Sequence, residues 1–148
     1  MNARGPSIDR FSIAVSPRDV RDPGLASTLQ LARAADEAGF AFVTTGDSTV
    51  EAFSTLGAVA TQTQDVGLLA AVATWTRTPV TTALAVATLA EVSQGRFRLG
   101  LGAMPRERSE QWHDVDYGRP VERMRDFVAA VRTALEGRPG APTSHDGP

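Results

Sequence analysis

The chain has 148 residues with a formal net charge of −2, is 42% hydrophobic and 22% charged, and contains no cysteine. This length suffices for one domain with a hydrophobic core, and the near-neutral charge gives no reason to expect a nucleic acid or an anionic membrane as partner. The lack of cysteine excludes disulfides, thiolate metal ligands and cysteine nucleophiles, and it is compatible with a reducing, cytoplasmic location.

Four apolar strands and four helices alternate along the sequence. The predicted strands are 11–16, 40–45, 66–74 and 97–102, and the predicted helices are 25–38, 52–63, 78–93 and 121–135. The strand starts are spaced by close to the roughly 30 residues of one β/α crossover unit. The pattern therefore predicts an α/β fold of about four parallel β/α units. It fits either a partial (β/α)8 TIM barrel or a small doubly wound sheet.

Periodic apolar positions predict the core of the first half of the sequence. In the first strand, the side chains expected on one face are those of Phe11, Ile13 and Val15. The expected buried stripe of the first helix is Leu25, Leu29, Ala32 and Ala35 or Asp36. The expected buried face of the second helix is Phe53, Leu56, Val59 and Ala60.

The segment from Thr76 to Gly102 carries the clearest local signals. Thr78 is a candidate N-cap, and Pro79 follows it at the first helical position. Gly95 can adopt the positive φ that ends a helix. The strand that follows ends in glycines, which let a ligand approach the backbone closely. The carboxyl ends of parallel strands are therefore the candidate functional edge.

Two segments outside these elements carry no apolar periodicity. The mixed-charge segment 106–110 is predicted to be a solvated turn, and the His113-Asp114-x-Asp116 spacing that follows fits no standard metal site, so no metal is expected. Residues 138–148 are rich in proline and glycine. They are predicted to be a mobile tail, at which a longer β/α pattern is truncated.

Four segments resemble the luciferase-like, or bacterial luciferase, superfamily of flavin- and deazaflavin-dependent oxidoreductases. They are 32–43, 44–63, 66–103 and 119–135, and the most specific pattern is T-R-x-P followed by A-x-x-A-T-L-A-E-x-S-x-G-R-F-x-L-G-L-G. Members are (β/α)8 barrels of roughly 250 residues or more. The resemblance implies that residues 1–137 are the N-terminal half of such a barrel. A doubly wound nucleotide-binding domain would need a phosphate loop after the first strand, which the sequence does not supply.

The resemblance also implies a site at the strand ends. Asp47 closes the second strand, where relatives carry an acidic or histidine side chain that faces the isoalloxazine ring or the substrate. The alternative is a turn-forming aspartate. Gly102 and Ala103, at the end of the fourth strand, would lie against the ring and its ribityl chain, whereas Gly100 is expected to serve packing. We expect Asp47, Val72 and Gly102 to share one rim.

The end of the third strand would back the ring in a luciferase-like site. The implied cofactor-binding residues there are Ala71, Val72, Ala73 and Thr74. The Ala71–Val72 bond is the candidate for a non-prolyl cis peptide. For a chain without the later strands, however, an ordinary trans strand is the favoured expectation.

The implied function is that of a luciferase-like oxidoreductase. A deazaflavin coenzyme (coenzyme F420) or FMN would serve hydride transfer to, or monooxygenation of, a small organic substrate. Phosphate-binding residues of the family come largely from later strands, so weak cofactor binding is expected. A half-barrel leaves two strand edges unpaired, which predicts a homodimer or association with a missing C-terminal half. The alternative is a catalytically inactive remnant that acts only as an assembly or interaction half.

Overall fold

The computed structural model describes residues 11–15, 24–48 and 50–137. In chain order the elements are β1 (Ser12–Ala14), α1 (Leu25–Glu37), β2 (Phe42–Thr45), α2 (Ala52–Ala60), β3 (Gly67–Thr74), α3 (Pro79–Val92), β4 (Phe97–Gly102), α4 (Arg106–His113) and α5 (Pro120–Leu135). The strands form a four-stranded parallel sheet in the order β1-β2-β3-β4. A doubly wound sheet would reverse its strand order, whereas a (β/α)8 barrel keeps it sequential. The predicted partial barrel is confirmed.

The described residues divide into two compact units. The first contains the described residues up to Ala73 together with 88–100, and therefore holds α1, α2 and most of the sheet. The second contains 74–87 and the described residues from Leu101 onward, and therefore holds α4 and α5. The segment 138–148, predicted to be a mobile tail, lies outside the described residues.

Strand register separates the two faces of the sheet in the first unit. Val43 pairs with Ile13 on one side and Leu68 on the other, and Val43 and Leu68 are completely buried. Helix α2 packs against β2 and α1. The neighbouring pair, Ala14 and Thr44, lies on the opposite face, where Ala14 is exposed and Thr44 half-buried. This open face is the one that a closed barrel turns inward.

The core of the first unit follows the predicted face of α2 closely. All four predicted residues are buried: Phe53, Leu56, Val59 and Ala60. Two other core predictions are wrong. Leu25 is 50% exposed, because burial in α1 begins one turn later, at Thr28. Phe11 is 86% exposed, because it precedes β1, whereas Val15 is buried as predicted.

Helix α3 begins as the sequence predicts. The hydroxyl of Thr78 accepts a hydrogen bond from the backbone N–H of Thr81 at 3.1 Å, and Pro79 is the first helical residue. The chain leaves the helix through Gly95, which has a φ of 81°. Both end signals are therefore confirmed.

Residues 106–113 form a helix, so the prediction of a solvated turn is wrong. Arg106 and Glu110 form an i,i+4 ion pair at 2.8 Å. Glu107 lies in the first turn, where the helix dipole stabilises its negative charge, and His113 lies in the last turn. Asp114 ends the helix in the left-handed conformation. Charged residues favour this helix, and apolar periodicity could not reveal it.

Helix α5 has 16 residues and buries Phe127 and Val131, two of the apolar positions that predicted it. Val121 and Leu135, near its ends, are exposed. In the described ranges, the helices are all too short or too polar to cross a membrane.

Candidate active site at the carboxyl ends of β2 and β3

A pocket of about 180 Å³ opens in the first unit, where β1, β2 and β3 end. Its lining consists of small or medium-sized side chains: Ala14, Thr44, Thr45, Gly46, Asp47, Ser48, Ala71 and Val72. Parallel β/α folds carry their binding sites at this edge, because loops from successive strands converge there. The position of the pocket agrees with the edge that the sequence indicated.

One wall of the pocket is the Ala71–Val72 peptide, which is cis. The candidate bond implied by the resemblance is thus identified, and the favoured expectation of a trans strand is wrong. Gly46 lies directly on this peptide: a Cβ atom at Gly46 would be 2.6 Å from the carbonyl oxygen of Ala71 and 2.7 Å from the nitrogen of Val72. The backbone N–H of Asp47 donates to the Val72 carbonyl oxygen at 3.0 Å. Close contact and a hydrogen bond therefore hold the β2–α2 turn against the end of β3.

Asp47 is half-buried between this wall and α2. Its Oδ1 accepts a hydrogen bond at 3.1 Å from the backbone N–H of Ala52, the first residue of the helix. The neighbouring carboxylate of Glu51 accepts from the N–H groups of Phe53 at 2.9 Å and Ser54 at 2.6 Å. Both carboxylates lie at the positive end of the helix dipole. Asp47 therefore helps to cap α2, and this contact fixes its carboxylate at the pocket.

The pocket unites three of the predicted site residues, Asp47, Ala71 and Val72, and adds Thr44. Sequence reasoning passed over Thr44, although a signal was present. In the four residues of β2, alternation places Val43 and Thr45 on the buried face, so Thr44 belongs to the open one.

The other predicted site residues are not among those that line this pocket. Ala73 is fully buried, and Thr74 is buried with its hydroxyl 2.9 Å from that of Thr76. Gly102 and Ala103, at the end of β4, belong to the second unit. Their place on a common rim with Asp47 stays a prediction.

Gly100 serves packing, as predicted. A Cβ atom at Gly100 would lie 2.5 Å from the carbonyl oxygen of Ala70, so only glycine permits this approach of the two strands.

A sequence model of the family described as luciferase-like monooxygenase matches residues 10–148. The chain belongs to this family. Among curated relatives, it is 34% identical over 105 residues to Rv3520c of Mycobacterium tuberculosis, which is provisionally named a coenzyme F420-dependent oxidoreductase. That match covers 70% of this chain and 30% of the relative. The chain thus spans about a third of the length of such relatives.

Solved structures show the same fold. The monooxygenase RslO1 from Streptomyces bottropensis is 25% identical with a TM-score of 0.75, over 83% of this chain and 42% of that one. The oxygenating constituent of 3,6-diketocamphane monooxygenase from Pseudomonas putida, solved with FMN, is 16% identical with a TM-score of 0.76, over 88% and 40%. The coenzyme F420-dependent tetrahydromethanopterin reductase from Methanopyrus kandleri is 24% identical with a TM-score of 0.62, over 70% and 29%.

The second unit of this luciferase-like chain contains an aromatic cluster. Trp75 is buried against the edge of Tyr117, with ring centroids 5.6 Å apart, and the guanidinium of Arg123 lies 5.4 Å from the Trp75 ring. These contacts make Trp75 a packing residue of this unit. Within the described ranges, no group of three or more histidine, cysteine, aspartate and glutamate side chains is placed to hold a metal ion.

A polar network lies at the amino ends of β3 and β4, whereas the pocket lies toward the carboxyl ends of the strands. The carboxylate of Asp36 accepts hydrogen bonds from three consecutive backbone N–H groups, those of Gln64, Asp65 and Val66, at 2.6–2.9 Å. Burial raises the pKa of Asp36, but these donors and the charge of Arg96 outweigh burial, so the pKa lies below its ordinary value.

Arg96 completes this network. Its guanidinium donates to the carbonyl oxygens of Ala60, Thr63, Val66 and Ser93 at 2.8–3.2 Å. Burial lowers the pKa of Arg96, and the nearby carboxylates partly offset this effect. The network ties the end of α2 to the segments that enter β3 and β4, so its role is structural.

Proposed function

We propose that this chain supplies one side of a redox site in which coenzyme F420 or FMN binds at the ends of β2 and β3. The reaction class that we assign is hydride transfer to, or monooxygenation of, a small organic substrate. The observation that carries the proposal is the pocket in which Gly46 lies against the Ala71–Val72 peptide with Asp47 beside it. Membership of the luciferase-like family supports it. Relatives that are named for coenzyme F420, and a structural neighbour that was solved with FMN, support it as well.

The residues of the pocket suit a flat ring. Ala14, Gly46 and Ala71 are small, so a planar heterocycle can approach the backbone, and Val72 is 38% exposed and offers an apolar contact. When bound, the cofactor supplies the hydride or oxygen chemistry. The protein orients the ring and excludes water from one of its faces.

Asp47 is the proposed catalytic residue. The N–H of Ala52 fixes its carboxylate beside the pocket, where it can accept a hydrogen bond or a proton from the ring edge or the substrate. Ala71 and Val72 are proposed as cofactor-binding residues on geometry and resemblance together. For Ala73, Thr74, Gly102 and Ala103 the assignment rests on the resemblance.

Equilibrium titration with FMN and coenzyme F420, followed by their absorbance and fluorescence, tests this proposal. We expect weak, saturable binding that Ala71→Leu abolishes, because the larger side chain fills the pocket. Ala34→Leu, on the exposed surface of α1, is the matched control and should bind like the unmodified chain. Failure of both cofactors to bind at millimolar concentration would contradict the proposal, as would equal binding by Ala71→Leu.

The open face of the sheet favours a second candidate function, that of an assembly half. Ser12 and Ala14 are exposed on this face, and β1 and β4 are the edges of the sheet in the described residues. We propose that a second copy of the chain, or the complementary half of a luciferase-like barrel, covers this face.

Light scattering on the purified chain, alone and co-expressed with the C-terminal half of a relative, tests this assembly. We expect a dimer or a stable complex. A monomer that melts cooperatively and does not bind the added half would contradict it.

A further inference from the structure

We infer that Thr44 is a ligand-binding residue, whose hydroxyl hydrogen-bonds to the polar edge of a planar heterocycle that lies against Ala71 and Val72. The inference rests on the proposed function and deepens it, because it assigns recognition of the ring to a side chain to which the family resemblance gives no role. Three observations carry it: the place of Thr44 in the sheet, the state of its hydroxyl, and the chemistry of its neighbours.

Strand register fixes the place of Thr44. It pairs with Ala14 of β1 and Leu69 of β3, and all three residues lie on the open face of the sheet. Its neighbours along β2, Val43 and Thr45, are buried on the other face. Thr44 is half-buried and lines the pocket with Asp47. The ladder on both sides of β2 holds it rigidly, as a recognition residue requires.

The Thr44 hydroxyl has no hydrogen-bond partner among the described residues. By contrast, three buried threonines on or beside helices donate to backbone carbonyl oxygens: Thr55 to Glu51, Thr63 to Val59 and Thr82 to Thr78, at 2.8–3.0 Å. In an extended strand, the carbonyl oxygen four residues earlier is out of reach of a threonine side chain. The Thr44 hydroxyl therefore keeps both its donor and its acceptor capacity. A ligand in the pocket can use either.

The neighbours of Thr44 make its hydroxyl selective. The paired side chains on either side, Ala14 and Leu69, are apolar, and so are Ala71 and Val72 on the wall. An apolar ligand would gain nothing from Thr44, whereas a ring that carries carbonyl and N–H groups can satisfy it. The ligand class that fits is a flat heterocycle with a cyclic amide or imide edge.

The test is to titrate lumiflavin and its 5-deaza analogue, which are ring systems without a phosphate chain, into the protein. Binding is measured from changes in the chemical shifts of the protein's amide groups. Thr44→Val keeps the shape but removes the hydroxyl, and we expect its Kd to be about fivefold higher, the loss of one neutral hydrogen bond. Thr44→Ser should bind within about twofold of the unmodified chain. Thr61→Val, on the exposed end of α2, is the control and should bind unchanged.

Urea unfolding of Thr44→Val separates recognition from stability. Because no described group bonds to the hydroxyl, its midpoint should equal that of the unmodified chain. Equal ring binding by Thr44→Val and the unmodified chain would overturn the inference and leave the proposed site intact. A weakened Thr44→Val that is also destabilised would overturn it in favour of a structural role. No binding by the unmodified chain would overturn both.

Discussion

Gly46→Ala tests how the site is built. The new Cβ would lie 2.6, 2.7 and 2.8 Å from backbone atoms of Ala71 and Val72, which cannot rotate away as a side chain can. Such overpacking costs about 1–3 kcal/mol, and loss of the hydrogen bond from Asp47 to Val72 adds about 1 kcal/mol. Alanine also makes the unfolded chain less flexible than glycine does, which stabilises the folded state by about 0.4–1 kcal/mol. We therefore expect a net destabilisation of about 2 kcal/mol.

Urea unfolding followed by circular dichroism measures this change. With a slope of about 1–3 kcal/mol per molar urea, the midpoint should fall by about 1 M. Gly57→Ala is the matched control, because its Cβ would meet only the Leu89 side chain at 3.7 Å, an ordinary contact. Since Gly57 lies inside α2, alanine there should raise stability by about 0.5–1 kcal/mol. A Gly46→Ala chain as stable as the unmodified one would refute the tight packing of the β2–α2 turn against β3.

The remaining predictions concern the polar network and the core. Folding lowers the pKa of Asp36, so the stabilising effect of its carboxylate is complete above the unfolded-state pKa of about 4 and is lost as the pH falls through the folded-state pKa. The urea midpoint of the unmodified chain should therefore drop toward pH 3, and Asp36→Asn should reduce that drop. Arg96→Met leaves several carbonyl oxygens without their donor and should cost about 3 kcal/mol in urea unfolding; an unchanged midpoint would contradict the network. Leu56→Ala, at a fully buried position, should cost about 2–5 kcal/mol, measured as a lower thermal midpoint. Gly100→Ala should cost about 1–3 kcal/mol in the same assay, because its Cβ meets a strand carbonyl.

The sequence predicted the fold well where hydrophobic period and end signals agreed. The buried face of α2 and the cap of α3 at Thr78 are examples. The predictions of burial were wrong at the ends of elements, as at Phe11 and Leu25, which are exposed. It also failed for the helix 106–113, which is favoured by charge pairing and dipole effects that leave no apolar stripe.

The site was predictable in position but only partly in structure. The strand-end location of Asp47 follows from the β/α pattern, and the resemblance singled out the Ala71–Val72 bond. The contact of Gly46 with that bond, and the capping of α2 by Asp47, depend on how the β2–α2 turn packs against β3. Such tertiary contacts between segments about 25 residues apart in sequence leave no local pattern. Thr44 was missed because a threonine within a short strand reads as a structural residue unless its face is considered.

A cofactor ring against the end of β3 is the central feature of the proposed site. Intermolecular nuclear Overhauser effects between the ring protons of FMN or coenzyme F420 and the methyl groups of an isotopically labelled chain measure this contact directly. We predict cross-peaks from the ring to the methyl groups of Ala71 and Val72. Cross-peaks that instead involve only helix methyl groups, such as those of Val121 on α5, would contradict this placement of the ring.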